Sequence, residues 1–277
     1  MLKKDKKVIL VTGASAGLGY RIAEKLLAED CILYVGARSI EKMEKLKEAG
    51  AKVLFLDVTQ DASVKEAVDR IISEEGRIDV LINNAGTAYY GTVEELPLED
   101  ARAMYELNFW GVIRMSRAVL PSMRARKCGR IVNISSGSGH YTDPLCGFYC
   151  ATKYAIEAIS DALRMECHKL GIKVSLITPG YFKSTLDDKI RKSIESAPFS
   201  KDYQFLKDGF DEVFPDMWEQ GADLDTVADS VLEAVLSEEP KARYYPCPGV
   251  LGTMQRKWDS EEEEFDRWMM EAYHCEY

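Results

Sequence analysis

Lys7-Val8-Ile9-Leu10-Val11-Thr12-Gly13-Ala14-Ser15-Ala16-Gly17-Leu18-Gly19 runs from an unbroken apolar stretch into three closely spaced glycines. Val8 to Thr12 reads as a strand, and the absence of polar alternation marks one covered by helices on both faces. Gly13-x-x-x-Gly17-x-Gly19 permits a tight turn and a close approach to the backbone, and a helix opens at Gly17. The first N–H groups of a helix have no partner within it and suit an anion such as a pyrophosphate. Strand, glycine turn and helix in that order predict a nucleotide-binding α/β unit.

The same rhythm continues outward. Cys31 to Gly36, Val53 to Asp57, Val80 to Asn83, Arg130 to Ser135 and Lys173 to Thr178 read as further strands. Between them Gly17–Glu29, Glu41–Ala49, Ala62–Glu75, Leu98–Arg126 and Phe148–Leu170 read as helices. This alternation predicts a doubly wound α/β parallel sheet with right-handed crossovers. No repeat or low-complexity linker interrupts it, so residues 1–277 are expected to form a single domain.

Composition narrows the function. A net charge of −10 repels phosphate backbones and argues against nucleic acid, the cluster Lys3-Lys4-Lys6-Lys7 reading as a solvated leader. The seven cysteines are scattered without metal-ligand spacing, and three histidines add no set, so no metal is expected. They read as reduced thiols of a cytoplasmic protein. Neither a signal peptide at the first residues nor a membrane span is expected, since no apolar run approaches ~18 residues.

The chemistry is carried by Tyr149 and Lys153 in Tyr149-Cys150-Ala151-Thr152-Lys153. On a helix this i,i+4 pair shares one face. A phenol is a poor acid at neutral pH, but a nearby ammonium favours its anion and is expected to lower its pKa. Ser135, Ser136 and Ser138 lie upstream as possible hydrogen-bond donors to a reacting oxygen. The second strand ends Gly36-Ala37-Arg38-Ser39, with no acid at its tip to accept from a ribose 2′-hydroxyl. Arg38 and Ser39 suit a 2′-phosphate instead, which points to NADP over NAD.

From about Lys7 to Arg243 the chain resembles the short-chain dehydrogenase/reductase family, whose fold is the Rossmann sheet. The resemblance rests on Thr12-Gly13-Ala14-Ser15-Ala16-Gly17-Leu18-Gly19, on Asn83-Asn84-Ala85-Gly86, on Asn108, and on Asn133-Ile134-Ser135-Ser136. Tyr149 with Lys153 and the turn Pro179-Gly180 followed by Ser184-Thr185 complete it. It implies that Gly13, Ser15, Gly17, Leu18, Gly19, Arg38, Ser39, Asp57 and Val58 hold the adenosine and phosphates. Asn84, Ala85, Gly86, Pro179, Gly180, Phe182 and Ser184 then surround the rest of the cofactor. The thirteen-residue offset from Tyr149 selects Ser136. Tyr149 is implied as general acid or base, Lys153 as holder of the nicotinamide ribose, Ser136 as donor to the substrate oxygen, and Asn108 as support for a proton-relay water.

Two segments depart from the strand rhythm. In residues 183–222, Phe199, Tyr203, Phe205, Phe210, Phe214 and Trp218 crowd together, and this insertion is expected to cover the substrate site. Residues 248–277 read as a C-terminal helical extension. There Ser260 and Glu263 form a capping-box pattern, and Phe265, Trp268, Met269 and Ala272 an apolar stripe. That layout resembles the hydroxysteroid and retinol dehydrogenase branches. With Tyr89, Tyr90, His140, Leu145, Cys146, Tyr181 and Phe182 expected at the pocket, it implies an NADP-dependent oxidoreductase interconverting a secondary alcohol and a ketone on a bulky apolar substrate. His140, Leu145 and Tyr181 join Ser136 and Tyr149 as the substrate residues, and a hydroxysteroid is the leading expectation. A reductase of retinal-like or xenobiotic carbonyls and a catalytically silent NADP-sensing scaffold are the alternatives. Helices Leu98–Arg126 and Phe148–Leu170 offer the surface for an expected homodimer.

Overall fold

The computed structural model describes residues 6–277, so Lys3 and Lys4 of the basic cluster lie outside it. Six strands fall where the apolar runs placed them: β1 (Lys7–Thr12), β2 (Cys31–Ala37), β3 (Lys52–Phe55), β4 (Val80–Asn83), β5 (Gly129–Ile134) and β6 (Ile172–Ile177). A seventh, β7 (Arg243–Tyr244), was not expected. Its two residues are too few to show a period, and Tyr244 O receives the Thr178 N–H at 2.8 Å. All pair in parallel in the order β3-β2-β1-β4-β5-β6-β7.

β1 shows why its sequence had to be apolar throughout. Ile9 and Val11 enter one core with Ile22, Val227 and Val231, while Val8 and Leu10 enter the other with Val68, Ile71 and Met115. The first core is built by α1 (Gly17–Leu26) and α9 (Leu224–Leu236), the second by α3 (Asp61–Glu75) and α5 (Gly111–Arg126). Strand order reverses between β1 and β4, and the crevice at their carboxyl ends is where such sheets take ligands.

Three helix expectations are corrected. Glu41–Ala49 is a 3-10 turn (Ile40–Met43) followed by α2 (Glu44–Glu48). Leu98–Arg126 is α4 (Leu98–Met104), a π turn (Tyr105–Trp110) and α5, the wider turn rotating Asn108 into the interior. Phe148–Leu170 is α6 (Gly147–Cys167) closed by a 3-10 turn and Gly171 at φ +69°.

The insertion holds α7 (Leu186–Ser196) and α8 (Gln204–Gln220), and the C-terminal segment α10 (Pro248–Asp259) and α11 (Glu262–Ala272). Ser260 is not an N-cap: it ends α10, and α11 begins after Glu261 with no side-chain cap. Phe265 and Met269 are buried against Phe210 and Phe214, whereas Trp268 is partly buried and Ala272 exposed. Among the described residues no helix is long and apolar enough to cross a membrane.

Candidate active site

The glycine turn is built by close approach. Gly13 and Gly17 adopt φ +68° and +54°, which side chains other than glycine resist. A Cβ on Gly19 would fall 2.3 Å from Asn84 Nδ2 and 2.5 Å from Gly13 O. Thr12, not singled out from sequence, locks this arrangement: its hydroxyl oxygen accepts the N–H of Asn84 at 3.0 Å and of Ala85 at 3.1 Å. Asn84 Nδ2 donates to Thr12 O at 3.0 Å and Gly13 O at 3.2 Å. Below it, Asn83 Nδ2 donates to Asn133 Oδ1 at 2.8 Å and Asn133 Nδ2 to Ser160 Oγ at 2.8 Å, tying β4, β5 and α6 together. The N-terminus of α1 carries no side-chain cap and no acid in its first turn, which fits a bound phosphate group.

At the tip of β2, Arg38 is exposed and Ser39 half-buried. The first turn of α7 brings Lys189 towards them. Burial lowers the Lys189 pKa, and the charges of Arg38 and Lys42 lower it further, although its surface remains open to water. Cations whose charges act on one another in this way favour an anion with more than one charge. Asp57 Oδ1 accepts the Thr59 N–H at 3.0 Å, and buried Val58 rests on Gly111.

Ser136, Tyr149, Lys153 and Asn108 meet at the crevice. Lys153 Nζ donates to Ile134 O at 2.9 Å and lies 5.6 Å from the centre of the Tyr149 ring. The Ser136 hydroxyl, which accepts the Ser138 N–H at 3.2 Å, lies close enough to the Tyr149 phenol to favour its anion. Asn108 Oδ1 accepts the Thr87 N–H at 2.8 Å, and its Nδ2 donates to Thr87 O at 2.9 Å and Thr152 Oγ1 at 3.1 Å. Burial pushes the Lys153 ammonium down to about 8 against the opposing pull of Glu157. Burial likewise pushes the Tyr149 phenol up, Ser136 opposing. The expected lowering of Tyr149 by its neighbouring ammonium is therefore corrected: desolvation dominates, and the group that opposes it is Ser136.

An aromatic wall rises from Tyr149. Ring centres step from Tyr149 to Tyr90 (6.2 Å), Phe210 (6.1 Å), Phe214 (5.0 Å) and Tyr181 (6.1 Å). Leu145 and Cys146 are buried beside it, Leu145 at φ +65° and with its carbonyl accepting the Gly91 N–H at 2.7 Å. Tyr181 is held by Asp187, which accepts its hydroxyl at 2.9 Å and the Ser184 N–H at 2.8 Å. Phe182 forms a bridge to Ala222, and Pro179 O accepts the Gly137 N–H at 2.7 Å. The insertion also touches the glycine turn, since a Cβ on Gly17 would lie 2.9 Å from Thr185 Oγ1.

His140 does not face this pocket. Its Nε2 lies 3.4 Å from Glu157 Oε1, on the side where Arg243 Nε donates to Glu157 Oε2 at 2.9 Å. The pairing of half-buried Arg243 with buried Glu157 was not legible from sequence, because the partners are far apart in the chain and only the fold joins them.

The family model described as short chain dehydrogenase matches residues 7–195. The 3-ketodihydrosphingosine reductase of Bacteroides thetaiotaomicron is 42% identical over 198 residues, covering 71% of each chain. The NADPH-dependent 3-dehydrocapnine reductase of Ornithobacterium rhinotracheale is 33% identical over 249 residues, 86% of this chain and 87% of that one. A short-chain dehydrogenase from Streptomyces avermitilis has a crystal structure that superimposes with a TM-score of 0.81 at 30% identity, covering 96% of this chain and 97% of that one. With the glycine turn, the asparagine ladder and the Tyr149–Lys153 pair in place, the chain belongs to the short-chain dehydrogenase family, NAD(P)-dependent oxidoreductases acting on CH–OH and carbonyl groups.

Proposed function

We propose that this protein is an NADPH-dependent reductase of a ketone carried on a long or bulky apolar molecule, reversible towards the secondary alcohol. The observation that carries this reading is the continuous aromatic wall running from the Tyr149 phenol into the insertion. An apolar lining with few polar anchors suits a sterol or an alkyl chain alike. Identity of 42% to a 3-ketodihydrosphingosine reductase adds weight to the open alkyl chain over the hydroxysteroid expected from sequence.

The dinucleotide, when bound, supplies a hydride to the carbonyl carbon. Tyr149 would give its phenolic proton to the carbonyl oxygen, and Ser136 would donate a hydrogen bond to that oxygen as charge develops. Lys153, with one N–H on Ile134 O, has donors left for the ribose hydroxyls and to favour the phenolate after transfer. Asn108 fixes the Thr87 loop beside it. Arg38, Ser39 and Lys189 would hold the 2′-phosphate, and residues 183–222 would close over both ligands. Seven free thiols suit a reducing, cytoplasmic setting. Exposed Trp110 at the end of the π turn and Tyr154 and Met165 on α6 suit a homodimer.

The test is NADPH oxidation across long-chain ketones, steroid ketones and retinal. We expect turnover of the long-chain ketone and a loss of about 100-fold or more in kcat for Tyr149→Phe. Turnover confined to steroids would return the substrate to that class, and turnover indifferent to Tyr149→Phe would overturn the mechanism.

A further inference from the structure

α6 carries Lys153, Glu157 and Asp161 at i, i+4 and i+8, one face of the helix, and the first two are buried. Lys153 has Tyr149 on the preceding turn, 5.6 Å to its ring centre, and Glu157 on the following one. Its Nζ is held on the end of β5 by Ile134 O at 2.9 Å. Glu157 Oε1 is held just past the end of β6 by the Thr178 hydroxyl, which donates at 3.1 Å. β5 and β6 pair in parallel with Ile134 opposite Ile177, so the two side chains are anchored at neighbouring strand ends, with strands roughly 4.8 Å apart.

Charges alternate outward from the crevice. Arg243 of β7 donates to Glu157 Oε2 at 2.9 Å and to Asp161 Oδ2 at 2.7 Å, while Asp161 Oδ1 accepts from Arg164 at 2.7 Å. The Arg243 charge is thus shared between two carboxylates, which leaves Glu157 a net pull on Lys153. On the remaining side His140 Nε2 lies 3.4 Å from Glu157 Oε1, and the His140 and Tyr245 ring centres are 6.4 Å apart. His140 closes the 3-10 turn Gly137–Gly139 that follows Ser136, and a Cβ on Gly139 would fall 2.9 Å from Glu157 Cγ and 3.1 Å from Lys153 O. Burial pushes the Glu157 carboxyl up, but His140, Ser135 and Arg243 outweigh it and hold the group below its ordinary value, so it is an anion at pH 7. Glu157 in turn draws Lys153 up against burial.

We propose that Glu157 is a positioning residue for the reaction: clamped by Thr178, His140 and Arg243 one helical turn behind Lys153, it keeps that lysine an ammonium in the crevice. This rests on the role given to Lys153 above. An opposite charge at this separation is worth about 1 pH unit or more to the lysine, so from about 8 its loss leaves about half of the molecules with Lys153 neutral at pH 7. A neutral Lys153 has one donor fewer for the ribose hydroxyls and no charge to favour the phenolate.

The test needs no turnover. Protein labelled with carbon-13 at the lysine ε position is titrated by NMR without cofactor, and the Lys153 signal is assigned by its loss in Lys153→Arg. The wild-type midpoint should lie at about 8. Glu157→Gln should lower it by about 1 pH unit or more, Glu157→Asp should restore most of that fall, and Asp161→Asn, one turn further out, should move it much less. Circular dichroism of each variant checks the fold. Should Glu157→Gln not fold, the double variant with Arg243→Met strands neither charge and should lower the midpoint in the same sense. A residue that only supports the fold would reduce thermal stability and leave the midpoint in place. A midpoint unmoved when Glu157 is neutralised, or moved as far by Asp161→Asn, overturns the proposal. The parent reading is measured separately: NADPH oxidation with a long-chain ketone, undiminished in Lys153→Met, would remove the role of Lys153 and leave the titration result standing.

Discussion

Burial acts in opposite directions on the two members of the catalytic pair, raising Tyr149 and lowering Lys153 to about 8. For Lys153 the folded value lies below the ordinary 10.5. The cost of holding it charged is therefore fully present below about 8, and stability rises with pH from there to about 10.5. Activity runs the other way. The reductive kcat/KM should fall above about 8 as the ammonium is lost, and a pH profile flat to about 10 would show that Lys153 does not govern it. Ser136, Tyr149 and Lys153 were legible because short spacings encode them. Lys189 and the true neighbours of His140 were not, since their meaning depends on residues that only the folded chain brings near. Thr12 was within reach of the sequence, as the last residue of a strand entering a glycine turn.

Strands were read well from their apolar runs, and element ends poorly. The π turn at Tyr105–Trp110 shares its composition with the helices on either side, so periodicity alone reads one helix. Ser260 carried a capping signal, but α10 already ended there and left Glu261 to open α11. α7 is the element whose role sequence could not show, because Lys189 on it feels the Arg38 charge and Thr185, its N-cap, lies against Gly17. Removing a charge-assisted phosphate contact by Arg38→Ala should raise the KM for NADPH by about 10- to 100-fold and leave NADH almost unchanged. Lys189→Ala should act in the same sense to a smaller degree. Equal losses for both cofactors, measured by steady-state kinetics, would remove these side chains from 2′-phosphate recognition.

At the scale of the whole molecule, β7 is joined to α6 by Arg243, which pairs with buried Glu157 and reaches Asp161 at 2.7 Å. Arg243→Met strands the Glu157 charge and should cost about 3 kcal/mol in denaturant unfolding, with part of the loss recovered in the double variant with Glu157→Gln. Under the proposed homodimer, light scattering should give twice the chain mass for the wild type and a single chain mass for Met165→Glu on the exposed face of α6. A mass unchanged from that of the wild type would place any association elsewhere. The contact of Thr185 with Gly17 reaches further, because the helix that follows it also leads into the aromatic wall. With the dinucleotide and substrate bound as proposed, both products would leave past this same segment. Catalytic cycles should accordingly be paced by departure rather than by chemistry: added glycerol or sucrose should slow kcat in proportion to viscosity, and deuterium on the transferred position should hardly change it.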